Sequence, residues 1–190
     1  MLKPDSLTAD EGRWTTYIRV LTPFGKGTLR PVLFAAHRSP TGDPMIDDIY
    51  NKTILELAGN IPRLGRLAAP DATATAHSKL CGSKVTIDLK MDGDTVTDFA
   101  HDVKACALGQ ASSSIMARQV VGAKASELRQ VRDAIRRMLK ENGPPPEGRF
   151  ADARFLEPVR DYKARHASTM LTFDAVVDAI DQIEAKRHAL

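Results

Sequence analysis

From residue 45 onward, apolar positions recur with two distinct periods, and the change of period marks out the elements. Ile49, Ile54, Leu57 and Ala58 share one helical face. That spacing predicts a helix with Asp47 or Asp48 near its N-terminus and Gly59-Asn60 as its stop. Residues 72–78 alternate small residues with threonine, as a short strand does. Val85, Ile87, Leu89 and Met91 then alternate with Thr86, Asp88 and Lys90, the pattern of a half-buried strand. Asp92-Gly93 supplies a turn, after which residues 95–103 pair back. Helical spacing resumes over residues 107–121, rich in small residues on one face and ended by Gly122. Leu128, Val131, Ile135, Met138 and Leu139 form one stripe of a further helix, over 126–140. Asn142-Gly143 and three prolines stop it. Met170, Phe173, Val176, Val177, Ile180 and Ile183 define a long C-terminal amphipathic helix. Strands and helices are segregated along the chain, which predicts the α+β class: a small antiparallel three-stranded sheet packed against several helices.

Residues 1–44 read differently. Proline and glycine recur there (Pro4, Gly12, Pro23, Gly25, Gly27, Pro31, Pro40, Gly42, Pro44), and no apolar period lasts more than a few residues. Trp14, Tyr17, Ile18, Val20 and Leu21 have the content of one short ordered piece, and residues 32–36 of another. This composition predicts a poorly ordered N-terminal extension, 1–44, ahead of a folded domain, 45–190. Met45 begins the amphipathic pattern directly, so it is expected to be the biological start, or residues 1–44 a dispensable extension.

Composition narrows the classes of function. A chain of 190 residues with 43% hydrophobic and 27% charged residues is ordinary globular material. The net charge is only +3, and Lys/Arg alternate with Asp/Glu instead of clustering, so no nucleic-acid footprint is present. No apolar run approaches the roughly 18–20 residues of a membrane span, and no secretory leader pattern occurs. A cytoplasmic location is expected.

Cys81 and Cys106 are the only two cysteines. Without CxxC spacing they do not make a disulfide framework; in a cytoplasmic protein they are free thiols or ligands. Cys81 precedes a strand and Cys106 precedes a helix, so a hairpin between them folds the thiols back towards one another. A helix N-terminus offers unpaired N–H groups that favour a thiolate at Cys106; the alternative is a small buried hydrophobe. Gly82 allows a tight turn after Cys81, or simply opens the strand. Among the histidines, His101 is expected on the sheet surface and His188 to be bland; His77 lies four residues before Cys81. Carboxylates on the amphipathic helices read as solvated ion pairs. Ser112-Ser113-Ser114 read as small residues for close packing on the sheet. No nucleotide, zinc-protease or hydrolase motif occurs.

The stretches around Asp48-Ile49-Tyr50, Cys81-Gly82, Val85 to Gly93, Cys106 with its Ser/Ala-rich helix, and Val159 to Leu171 together resemble the NifU/IscU-like iron–sulfur cluster scaffold family. The resemblance covers roughly 45–185, and the long segment after Cys106 is more similar to the SufU branch. It implies a 2Fe–2S cluster, iron or, alternatively, zinc held by three cysteines with a nearby Asp. It also implies sulfur received from a cysteine desulfurase and clusters passed to apo iron–sulfur client proteins. Cys81 and Cys106 match the first two cysteines. Ser83 stands at the Asp position, Ser168 at the third cysteine position, and Ala167 before it. Serine is a poor ligand for iron or zinc.

Three readings follow from that departure. His166 completes the metal set; or the two thiolates suffice because the cluster is shared across a homodimer or bound transiently; or the chemistry is lost and an interaction module remains. Leu156-Glu157-Pro158-Val159-Arg160, in place of a Leu-Pro-Pro-Val-Lys segment, argues against standard chaperone-assisted transfer. The expected role is a scaffold or carrier holding iron or a cluster through Cys81 and Cys106, with Ser83, His166 and Ser168 lining the same pocket and no small-molecule turnover. The alternative is a zinc-type persulfide acceptor, with Cys106 as the sulfur-bearing thiol.

Overall fold

The computed structural model describes residues 50–189, together with the backbone of two two-residue strands, β1 (Arg19–Val20) and β2 (Val32–Leu33). These pair antiparallel, Arg19 opposite Leu33 and Val20 opposite Val32. The chain divides into two units, Met1–Gly42 and Asp43–Leu190. The expectations for residues 1–44 as a whole and for Met45 as a start lie outside the described residues.

In the second unit the elements run α1 (Lys52–Gly59), β3 (Ala72–His77), β4 (Lys84–Asp92), β5 (Thr95–Lys104), α2 (Ala107–Gln119) and α3 (Ala125–Lys140). A 3-10 segment (Gly148–Asp161) and the long α4 (Lys163–His188) complete it. The fold class is the α+β arrangement that the sequence predicts. The first helix begins later than expected: Asn51 is its N-cap, its Oδ1 accepting from the Ile54 N–H at 3.1 Å. A short polar side chain there satisfies a donor that the first helical turn leaves open. Asp47 and Asp48 lie outside the described residues. Prolines 144–146 end α3 as predicted, but a 3-10 segment then follows where the sequence shows no regular period.

The sheet has the order β3-β4-β5, antiparallel throughout. Gly93 and Asp94 form the β4–β5 turn, with positive φ (57°) at Gly93 alone, the pattern of a type II′ turn. Val85, Ile87 and Leu89 are fully buried on one face, beneath α4, which lies across β3 and β4. Phe99, Phe150 and Phe173 are the largest side chains closing the core. Fully burying each such side chain contributes about 1.5–3 kcal/mol. Between helices, Arg129 bridges α3 to Asp181 and Glu184 of α4, and Arg136 reaches Asp174 at 2.8 Å. These are the ion pairs expected of the helical carboxylates. No helix among the described residues is long and apolar enough to cross a membrane.

Two strand positions differ from what the sequence predicts. Asp88, on the expected solvent side of β4, is buried because the loop after α1 folds over it. Its carboxylate accepts from Arg66 Nε at 2.5 Å and Nη2 at 2.8 Å, from the Leu67 N–H at 3.0 Å and from the Thr73 hydroxyl at 2.6 Å. The Arg66 bond, above all, holds this carboxyl below the usual carboxylate range. His101, expected on the sheet surface, is fully buried: it stands opposite Ile87 on the apolar face, and residues 63–65 pair along the edge of β5 beside it. Its Nε2–H donates to the Pro62 carbonyl (3.0 Å), its ring stands edge-on to Phe99, and burial lowers its pKa.

The Ser/Ala-rich helix α2 uses its small residues against helices α1 and α4 more than against the sheet. The Ser113 and Thr172 hydroxyls meet at 2.5 Å, and the Ser114 hydroxyl donates to the Asn60 carbonyl. At Gly109 a Cβ would stand 2.8 Å from the Ala105 Cβ and 3.2 Å from the Ser168 carbonyl oxygen. Gly109→Ala is therefore expected to wedge α2 from α4 and cost about 1–3 kcal/mol. Urea denaturation checks this; a midpoint within error of the parent would show that the two helices are not held at contact there.

Candidate functional site

The register of β4 against β5 sets Lys84 opposite Lys104, so the residues before β4 and after β5 emerge at the same end of the sheet. Cys81 lies in the connection 78–83 that joins β3 to β4. The loop closes on itself: the Ser78 N–H donates to the Ser83 carbonyl at 2.8 Å and the Gly82 N–H to the Ser78 carbonyl at 2.9 Å. Gly82 has φ +70°, a conformation that L side chains resist. The result presents Cys81 to solvent beside an exposed Leu80. Cys106, half-buried, is the N-cap of α2, extended at φ −64° and ψ 167°.

Ser83 joins the two. It is buried, accepts from the Cys106 backbone N–H at 3.2 Å, and places its hydroxyl 3.1 Å from Cys81 Sγ. In the neutral thiol Cys81 Sγ–H donates to this hydroxyl; in the thiolate the hydroxyl turns its proton to the sulfur. Ser78, also buried, puts a second hydroxyl 3.3 Å from Sγ. Ser168 of α4 lies on the same side of the site, with its hydroxyl donating to the Arg165 carbonyl at 2.9 Å.

Burial pushes the Cys81 thiol up, but the hydrogen bonds outweigh it. The Ser78 and Ser83 hydroxyls, the Ser83 backbone and the Ser168 hydroxyl favour the thiolate and bring the pKa down to about 7 from an ordinary 9.0.

The structure thus brings together Cys81, Ser83, Cys106 and Ser168. It does not bring His166. That ring is buried, and its Nε2–H donates to the carbonyls of Arg160 (2.9 Å) and Val159 (3.2 Å). His166 is two residues from Ser168, and two helical steps turn a side chain by roughly 200°. His166 consequently lines a separate groove with Arg136, Lys140 and Lys163, which corrects its expected place beside the thiols. His77 ends β3 exposed, and His188 is exposed near the end of α4. Ser78 is the residue that sequence reasoning missed. Its signal was a hydroxyl three residues before a cysteine in a loop, legible only once the loop is known to close between Ser78 and Ser83.

Among the described residues no three of His, Cys, Asp or Glu converge as a metal-holding group. A closed zinc site takes four nitrogen, sulfur or carboxylate ligands. Two thiols and hydroxyls already engaged in hydrogen bonds do not fit one. The pair does suit a soft guest whose other ligands arrive with it or from a second molecule.

The sequence profile of the NifU-like N-terminal domain matches residues 49–169. The iron–sulfur cluster assembly scaffold protein IscU of Thermotoga maritima is 26% identical over 138 residues, 71% of this chain and 94% of that protein. The zinc-dependent sulfurtransferase SufU of Bacillus subtilis is 26% identical over 77 residues, 40% of this chain and 52% of that protein. A crystal structure of a nitrogen-fixing NifU-like protein (N-terminal) from Brucella abortus is 75% identical. It covers 75% of this chain and 99% of that one, with a TM-score of 0.74.

The Cys81 geometry fixes a pH dependence. Only the thiolate alkylates, so the rate at Cys81 rises with pH through its pKa, and the half-maximal rate is expected near pH 7. Ser83→Ala removes one of the donors that favour the thiolate and moves that midpoint up. Iodoacetamide labelling followed by peptide mass spectrometry reads it; a midpoint near that of free cysteine in the parent would refute the hydroxyl cage.

Proposed function

Because the chain belongs to the family of the NifU-like N-terminal domain, matched over residues 49–169, we propose that it serves iron–sulfur cluster assembly as a scaffold or carrier. Cys81 and Cys106 are the thiolates that take iron or a nascent 2Fe–2S cluster as cargo. The observation that carries this reading is the Ser83 bridge, which ties the Cys81 sulfur to the Cys106 backbone at one end of the sheet. Cys81 is open to solvent and Cys106 half-buried behind it, so cargo enters from the Cys81 side. The remaining ligands come from the cargo's own sulfide, from a partner or from a second copy. A cysteine desulfurase is the sulfur source in this reading, and apo iron–sulfur proteins are the recipients.

The zinc-type sulfurtransferase reading rests on the shorter likeness to SufU. The donor set weakens it, since the two thiols do not complete a zinc site on one chain.

The first measurement is iron, zinc and acid-labile sulfide per chain, after anaerobic purification and again after reconstitution. The expected result is iron with sulfide, lost in Cys81→Ser and in Cys106→Ser. Zinc alone would favour the sulfurtransferase reading, and no metal after reconstitution would overturn both. Ser168→Cys places a third sulfur at the wall facing Cys81 and is expected to strengthen retention of iron and sulfide. Unchanged retention in a correctly folded variant would count against Ser168 facing the guest.

A further inference from the structure

With two thiols and, among the described residues, no third metal ligand, the site is poorly equipped to hold a metal by itself, yet one hydroxyl joins its two cysteines. We propose that Cys81 and Cys106 form a sulfide-releasing pair: Cys81 takes a sulfane sulfur from a donor persulfide, and Cys106 displaces that sulfur as hydrosulfide, leaving a Cys81–Cys106 disulfide. This deepens the assembly reading and rests on it for the identity of the donor.

Three observations carry the pair. Cys81 and Cys106 sit just beyond the paired strand ends Lys84 and Lys104. One side chain, Ser83, contacts the sulfur of the first and the backbone N–H of the second. Their exposures differ in the order the reaction needs, with Cys81 open to a donor and Cys106 set back from it. The chain has no other cysteine, so the intramolecular disulfide has a single possible pairing.

The steps balance. The Cys81 thiolate attacks the outer sulfur of a donor R–S–SH; the donor S–S bond breaks, R–S⁻ leaves, and Cys81–S–SH forms. The Cys106 thiolate then attacks Cys81 Sγ. The persulfide bond breaks, HS⁻ departs with the bonding electron pair, and the disulfide closes. The sulfane sulfur gains two electrons and the two thiols supply them. A dithiol reductant restores both thiols for the next cycle. The hydroxyls of Ser78 and Ser83 at 3.3 and 3.1 Å from Cys81 Sγ hold that sulfur in place.

The test uses the full chain, reduced and free of iron, loaded with inorganic disulfide (sodium disulfide) and desalted. Released sulfide is trapped with monobromobimane while intact mass and peptide maps are followed. The parent is expected to release about one equivalent of sulfide and to lose two hydrogens of mass as Cys81 links to Cys106. Cys106→Ser is expected to keep the added sulfur on Cys81 and to release sulfide about tenfold or more slowly. Cys106→Ala serves as a second variant, with circular dichroism to establish that both fold. A parent that retains its persulfide as long as these variants do, or whose Cys81 links to another chain, would overturn the proposal. Iron retention is measured separately under reductant, so failure of the scaffold reading and failure of the sulfur pair give different results.

Discussion

The register of β4 against β5 is the constraint on which the site depends. Cys81 and Cys106 are 25 positions apart in sequence, and nothing but the hairpin returns one to the other. A slip of one residue would do more than misplace them. It would turn Val85, Ile87 and Leu89 outward and drive Thr86, Asp88 and Lys90 into the core. The Gly93-Asp94 turn and the buried apolar face therefore specify the same pairing from opposite ends of the hairpin. Asp88 locks it a third time, because its carboxylate bonds Thr73 of the neighbouring strand and the loop that carries Arg66 and Leu67. That network is costly to break, since it would leave a buried charge without partners.

Within that frame, replacing a carboxylate by a hydroxyl at Ser83 changes the electrostatics of the nearby sulfur. A carboxylate beside a thiol repels the thiolate and raises its pKa. The neutral hydroxyl of Ser83 instead accepts from the Cys106 N–H and turns its proton to the sulfur when the thiol ionises. The hydroxyls favour a thiolate at Cys81 without supplying further coordination. Binding and exchange pull on these groups differently: a metal asks for more lone pairs, whereas sulfur transfer asks for a reachable thiolate and a second thiol close by.

The hairpin and the main helices were legible because apolar periods of two and of about 3.6 residues are written directly in the sequence. Both cysteines were legible as a pair because each lay at an element boundary of that pattern. What escaped depended on contacts distant in sequence. Asp88 reads as a surface residue by alternation alone, and only the loop after α1, folding over the sheet, buries it; His101 is buried because the β4–β5 register sets it opposite Ile87 on the apolar face, a pairing its polar side chain does not announce. Asp47, Asp48 and Asn51 are all acceptable cap residues, so composition does not choose among them. The 3-10 segment has prolines and no steady period, and its place is set by packing Phe150, Leu156 and Val159 into the core. Ser78 joined the site through loop closure, which no spacing rule announces.

His166 and Ser168 show how far a two-residue interval decides chemistry on a helix. Both belong to the first turns of α4, and both are buried. Ser168 faces α2, where Gly109 admits its backbone, and its hydroxyl donates to the Arg165 carbonyl. His166 faces the C-terminal half of α3, where Arg136 and Lys140 lie, and spends its Nε2–H on the carbonyls that end the 3-10 segment. For the histidine to join the thiols, α4 would have to rotate by about half a turn. That rotation would withdraw Phe173, Val176 and Ile180 from the core along with it. The helix that frames the thiol site is thus held by its apolar face, and that face leaves a hydroxyl at the position where an imidazole would have made a third ligand.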